Sequence, residues 1–172
     1  MNEEISSEIP DWSREAKTWG EWNPGKSLLA SIRIYQRVRY KKSPFARLIK
    51  KTAILRHRFW SAVSGADIPL NSDIGGGLLL PHPNGVVIHQ RSHIGPNCLI
   101  FQQVTLGTRG GADVPHLAGH VDVGAGAKIL GGVRIGEHAL VGANSVVLTD
   151  VPANSFAVGI PAVVKRKWQV QA

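Results

Sequence analysis

One cysteine and seven histidines carry most of the chemical potential of this 172-residue chain. Cys98 stands alone, so there is no disulfide framework, and a single thiol cannot build a cysteine-based metal site. Among the histidines, His82 is set between turn-formers in Pro81-His82-Pro83-Asn84-Gly85. A neutral imidazole can take a hydroxyl proton as the oxygen attacks an electrophile, and an alcohol is a poor nucleophile without that help. A turn histidine with only structural hydrogen bonds is the other reading of the same residue.

The elements that must hold these groups follow from periodicity. Residues 1–25 mix acids, Trp12, Trp19, Trp22 and the turn Asn23-Pro24-Gly25, which reads as a flexible, loosely held arm. Over 26–63, Leu28, Leu29, Ile32, Tyr35 and Val38 recur at helical spacing. Ser43-Pro44 then punctuates, and Leu48, Ile49, Leu55 and Phe59 form a second apolar stripe, so two helices are expected.

From Asp67 the period becomes six. Aliphatic residues stand at Ile68, Ile74 and Leu80, then after a two-residue slip at Ile88, Ile94, Ile100 and Leu106, and again at Val123, Ile129, Ile135, Val141 and Val147. Glycine follows directly at Gly75, Gly95, Gly124, Gly136 and Gly142, where tolerance of turn dihedrals is the expected reason. Each hexad is a short strand plus a turn, and three hexads close one coil of a parallel β-solenoid spanning 64–155. Cys98 occupies a regular small-residue position and reads as a packed wall residue. Two interruptions break the period, the turn at 81–85 and a glycine-rich loop expected to protrude over 107–120; interruptions in a solenoid are where function is hung. Residues 156–172 read as a C-terminal tail.

Charge adds one constraint. The formal net charge is +8, and Lys26 to Trp60 carries eleven Lys/Arg with no Asp or Glu. That segment attracts polyanions. The readings are solvated basic helix faces or peripheral contact with an anionic membrane surface. No nucleic-acid-binding signature accompanies the charge. The acidic, polar start of the chain lacks the pattern of a secretory signal, and a cytoplasmic, soluble protein is expected.

The hexads, both interruptions and Val158-Gly159-Ile160-Pro161-Ala162 resemble the hexapeptide-repeat acyltransferases, within them the serine acetyltransferase group, over roughly residues 64–165. The resemblance implies a left-handed parallel β-helix, a homotrimer with sites in the clefts between prisms, and acetyl-CoA as co-substrate, with no metal. It implies His82 as general base and Asp67, fifteen residues earlier, as the carboxylate that orients it. Residues that far apart fall near the same edge of adjacent coils of about eighteen residues. By the same resemblance the donor falls on Gly107, Ala125 and Ala143, with Lys165 and Arg166 near its phosphates, and Asn84 and His116 contact the acceptor.

The group carries an acidic residue just before the base and an Arg-His pair in the protruding loop that reads the carboxylate of serine. Pro81 and Asp113-Val114 stand at those positions here. The short layout and the loop Thr108 to Leu117 look more like acetyltransferases of exopolysaccharide pathways such as colanic acid synthesis. The expected acceptor is therefore a sugar hydroxyl of an exopolysaccharide or capsule precursor, free or lipid-linked, with L-serine in cysteine biosynthesis as the alternative. Hexapeptide solenoids also include zinc carbonic anhydrases, whose three-histidine spacing His82, His116 and His120 approach, each gap one residue short. A scaffold with a dead site is the non-enzymatic alternative.

Overall fold

The computed structural model describes residues 5–166. Helix α1 (Pro24–Val38) starts at Asn23, whose side chain accepts from the Lys26 amide at 3.0 Å, with Pro24 at the first helical position. Helix α2 (Pro44–Ser64) starts in the same way at Ser43 and ends at Gly65, whose left-handed backbone (φ 66°) lets its amide return to the Ser61 carbonyl at 2.9 Å. Helix α1 buries Leu28, Leu29 and Ile32 in the solenoid core. Helix α2 buries only Ala46, Ala53 and Ser64, so the second apolar stripe faces solvent.

The rest is a left-handed parallel β-helix with three faces. The first sheet holds β1 (Asp73–Ile74), β3 (His93–Ile94), β6 (His116–Leu117) and β9 (Arg134–Ile135). The second holds β4 (Leu99–Ile100), β7 (Asp122–Val123), β10 (Leu140–Val141), β12 (Ser155–Gly159) and β13 (Ala162–Arg166). The third holds β2 (Val87–Ile88), β5 (Thr105–Gly107), β8 (Lys128–Leu130) and β11 (Val146–Val147).

Register stacks the hexad positions into three interior ladders: Ile74, Ile94, Leu117, Ile135; Ile88, Leu106, Ile129, Val147; and Ile100, Val123, Val141, Ala157. All twelve are buried. Each large aliphatic member contributes about 1.5–3 kcal/mol of transfer free energy. Leu117 restores the ladder directly after the loop, so the protrusion is shorter than 107–120: the chain leaves at Gly107 and is back in a strand at His116.

The glycines after the aliphatic positions have a different cause from the expected one. A Cβ on Gly75 would sit 2.6 Å from the Pro96 nitrogen, and one on Gly136 would sit 2.3 Å from the Ala153 nitrogen, so glycine there permits close approach of the next coil. Left-handed dihedrals fall elsewhere, on corner residues such as Asn97 (φ 59°), Gln103 (φ 58°) and Asn144 (φ 56°).

Both ends of the solenoid are covered. Arg33 of α1 donates to the Ile74 carbonyl at 2.6 Å and the Gly75 carbonyl at 2.5 Å, groups that have no strand above them. At the far end, β12 and β13 form an antiparallel hairpin that extends the second sheet, so the stretch expected as a tail is structured through Arg166. The arm also departs from expectation. Asn97 donates to the Ser6 and Ile9 carbonyls, both at 2.8 Å, and accepts from the Asp11 amide at 2.7 Å, tying the segment along the prism. No helix among the described residues is long and apolar enough to cross a membrane.

Candidate active site

The turn holding His82 lies at the corner between the second and third sheets. The Val86 amide donates to the Pro83 carbonyl at 3.1 Å, and the Gly85 amide donates to the Gly65 carbonyl at 2.8 Å. Corner hydrogen bonds then descend coil by coil. Gln103 N–H donates to Asn84 O at 2.9 Å, Gly126 N–H to Gln102 O at 2.8 Å, and Asn144 N–H to Ala125 O at 2.8 Å. His82, Asn84, Ala125 and Ala143 therefore belong to one column, with Gln102 and Gln103 on the coil directly below the turn and the small residues on the two coils beyond it. Both His82 and Asn84 are exposed.

Asp67 enters from the coil above. Its amide donates to Val86 O at 2.8 Å and its carbonyl accepts from Ile88 N–H at 2.9 Å, which fixes it beside the strand that leaves the turn. Its carboxylate is exposed and lines a cavity of about 390 Å³ on the third sheet, with Gly107 and Thr108 at the other side. No hydrogen bond joins the Asp67 and His82 side chains among the described residues.

The remaining candidates divide. Lys165 is exposed on β13, paired in register with Phe156 on the sheet that runs into this corner, and Arg166 pairs with Ser155. His116 is elsewhere. It lies on the first sheet, away from the His82 corner within the chain. There it belongs to an outward polar column, Asp73, His93, His116, Arg134. His93 Nδ1 meets Asp73 Oδ2 at 2.7 Å, and the His93 and His116 rings stack with centroids 4.2 Å apart. Burial holds the His116 imidazole below the ordinary histidine value, with the His93 and Arg134 charges adding to it.

Sequence reasoning missed the two arginines beside His116. Arg91, whose guanidinium donates to the Ala112 carbonyl of the loop, and Arg134 line a cavity of about 360 Å³ with His116, Asp113 and Val114. The signal was available, because the residue before each aliphatic position points outward and Arg134 precedes Ile135.

The three histidines of the zinc reading do not converge within the chain. His82 is at one corner, His116 on a face, and His120 at another corner, where its Nδ1 lies 2.7 Å from His138 Nδ1. Among the described residues no three His, Cys, Asp or Glu side chains gather as a metal site. Cys98 is buried, donates to the Ala118 carbonyl at 3.3 Å, and has its thiol pushed up to about 12, mainly by burial, so it is an inert wall residue.

The parallel three-faced prism with a broken coil and a protruding loop is the hexapeptide acyltransferase fold. Over its β-helical part the chain is similar in sequence and in structure to serine acetyltransferases. It is 47% identical over 102 residues to a serine acetyltransferase of Synechococcus elongatus, covering 58% of this chain and 42% of that protein. A solved serine acetyltransferase of Neisseria gonorrhoeae superposes with a TM-score of 0.71 at 35% identity, covering 87% of this chain and 56% of that one. Another, solved in complex with CoA, superposes with a TM-score of 0.69 at 34% identity, covering 84% of this chain and 58% of that one. The chain spans about half the length of the curated relatives it matches. No family model matches it.

Proposed function

We propose that the chain is an acetyl-CoA-dependent O-acetyltransferase of the serine acetyltransferase type. The observation that carries this reading is the corner column, in which an exposed histidine turn stands in line with the small residues Ala125 and Ala143 two and three coils below it. The pantetheine arm would lie against those residues, beside Gly107, with its phosphates toward Lys165 and Arg166. His82 would take the hydroxyl proton as the acceptor oxygen attacks the thioester carbonyl. The tetrahedral intermediate then collapses, the C–S bond breaks, and the imidazolium returns its proton to the CoA sulfur. Asp67, brought to the same corner, would orient the ring and stabilise the imidazolium. A homotrimer would supply the second wall of each cleft.

L-Serine is the acceptor favoured by the relatives, which carry the name serine acetyltransferase, and it displaces the sugar expected from sequence as the leading reading. Arg91 and Arg134 add cationic charge beside the loop where a carboxylate is otherwise read by other residues. One observation keeps the sugar hydroxyl, free or lipid-linked, as a second reading: Asp113-Val114 stands in place of the Arg-His pair. We place the enzyme in the cytoplasm, where acetyl-CoA is available, with its basic helices open to the inner membrane face.

The test is a thiol-release assay with acetyl-CoA and L-serine in competition with sugar nucleotides and lipid-linked sugars. Turnover on L-serine alone supports the leading reading, turnover on a sugar alone supports the second, and absence of acetyl-CoA binding by calorimetry overturns both.

A further inference from the structure

Helix α2 presents an apolar stripe that none of the described residues covers. Phe45, Leu48, Leu55 and Phe59 are 72%, 59%, 65% and 57% exposed, and their spacing of three, seven and four residues puts them on one helical face. The patch continues beyond the helix. The Phe59 ring meets Trp60 edge-on at 5.0 Å, and Trp60 meets the exposed Trp22 at 5.5 Å. Exposed Arg47, Lys51 and Arg58 run along one border of the stripe, and exposed Arg56 stands at the other.

Two features of this face select its partner. The whole segment from Lys26 to Trp60 carries eleven cationic side chains and no carboxylate, so a second copy docking here would bring like charges together. A polyanion such as nucleic acid would meet the arginines and lysines but would leave the Phe, Leu and Trp side chains in water. An anionic lipid surface satisfies both halves. The aromatic and aliphatic groups enter the boundary between headgroups and acyl chains, and the flanking Lys and Arg stems reach up to the phosphates. We propose that α2, with Trp22 packed against its Trp60, is an in-plane membrane-binding helix that docks the enzyme on anionic bilayers. This inference does not depend on which hydroxyl is acetylated.

Vesicle co-sedimentation of the full chain tests it, with phosphatidylcholine vesicles containing about one third phosphatidylglycerol against phosphatidylcholine alone. The expected result is binding to the anionic vesicles at low salt, release as salt is raised, and little binding to the neutral ones. Because the stripe is solvent-exposed, a Leu48→Ser/Phe59→Ser variant keeps its circular dichroism and melting temperature while its vesicle affinity falls about tenfold or more. A second variant, Arg47→Gln/Lys51→Gln/Arg58→Gln, loses the preference for anionic lipid. Absence of binding to the anionic vesicles at low salt overturns the proposal. So does undiminished binding by the Leu48/Phe59 variant, which would reduce the effect to bulk charge. A fall in solution molar mass for that variant would assign the face to a second copy.

Discussion

Glu15 grips Arg33 with both carboxylate oxygens, accepting from Nε at 3.0 Å and from Nη2 at 2.8 Å. The side chains are only 9% and 11% exposed, so the pair is screened little by solvent. Glu15 thereby aims the guanidinium at the two strand carbonyls that α1 must satisfy. Arg33→Met leaves a buried carboxylate and two orphaned carbonyls, and we expect a loss of about 3 kcal/mol. Thermal unfolding should show Tm lower by roughly 10 °C. Adding Glu15→Gln should recover part of the loss, since the uncompensated charge is then gone.

His82→Ala should lower kcat by about two to four orders of magnitude with any confirmed acceptor, while circular dichroism stays that of the parent. Asp67→Asn should cost less, because its proposed role is to orient the ring rather than to take the proton. Near-parental turnover by the His82 variant would remove that residue from the mechanism.

Bulk on the corner column should act on the donor alone. Ala143 is exposed, so Ala143→Trp is expected to leave Tm unchanged and to weaken acetyl-CoA binding about tenfold or more by calorimetry. Equal affinity in the variant would place the pantetheine arm elsewhere.

His116 should titrate below 6.5 by NMR, and Arg134→Gln should raise its midpoint without reaching 6.5, since burial is the larger cause. Because the folded value is depressed, the folded chain holds fewer protons at this site than the unfolded chain. The stability linked to His116 is therefore complete above about 6.5 and declines as pH falls from there toward the folded value. A parental midpoint at or above 6.5 would contradict the assignment.

The solenoid was legible because its interior admits one aliphatic side chain per hexad, and that demand is written directly into Ile68 to Val147. The corner column followed from the same count, since Ala125 and Ala143 are eighteen residues apart. The arm was not legible. Its anchor is Asn97, whose bonds reach back 86 to 91 residues, and a polar segment held by a distant amide has the composition of an unheld one. Nor could periodicity say which apolar stripe meets the core. Both helices are amphipathic, but only α1 finds the open end of the prism. The face that carries His116 was not legible either, because the loop length hid where the chain resumes.

The stacked corner also makes this prism a ruler. Three hydrogen-bonded steps separate the His82 turn from the level of Ala143. At about 4.8 Å per coil, the distance along the axis is roughly 14 Å. On the proposed reading, that spacing sets how far the donor must reach to bring its thioester to the imidazole. Coil number is thus a quantised measure of reach. Excising one in-register coil would preserve the aliphatic ladders yet bring base and donor site closer by a single strand spacing, converting a packing repeat into a setting of substrate length.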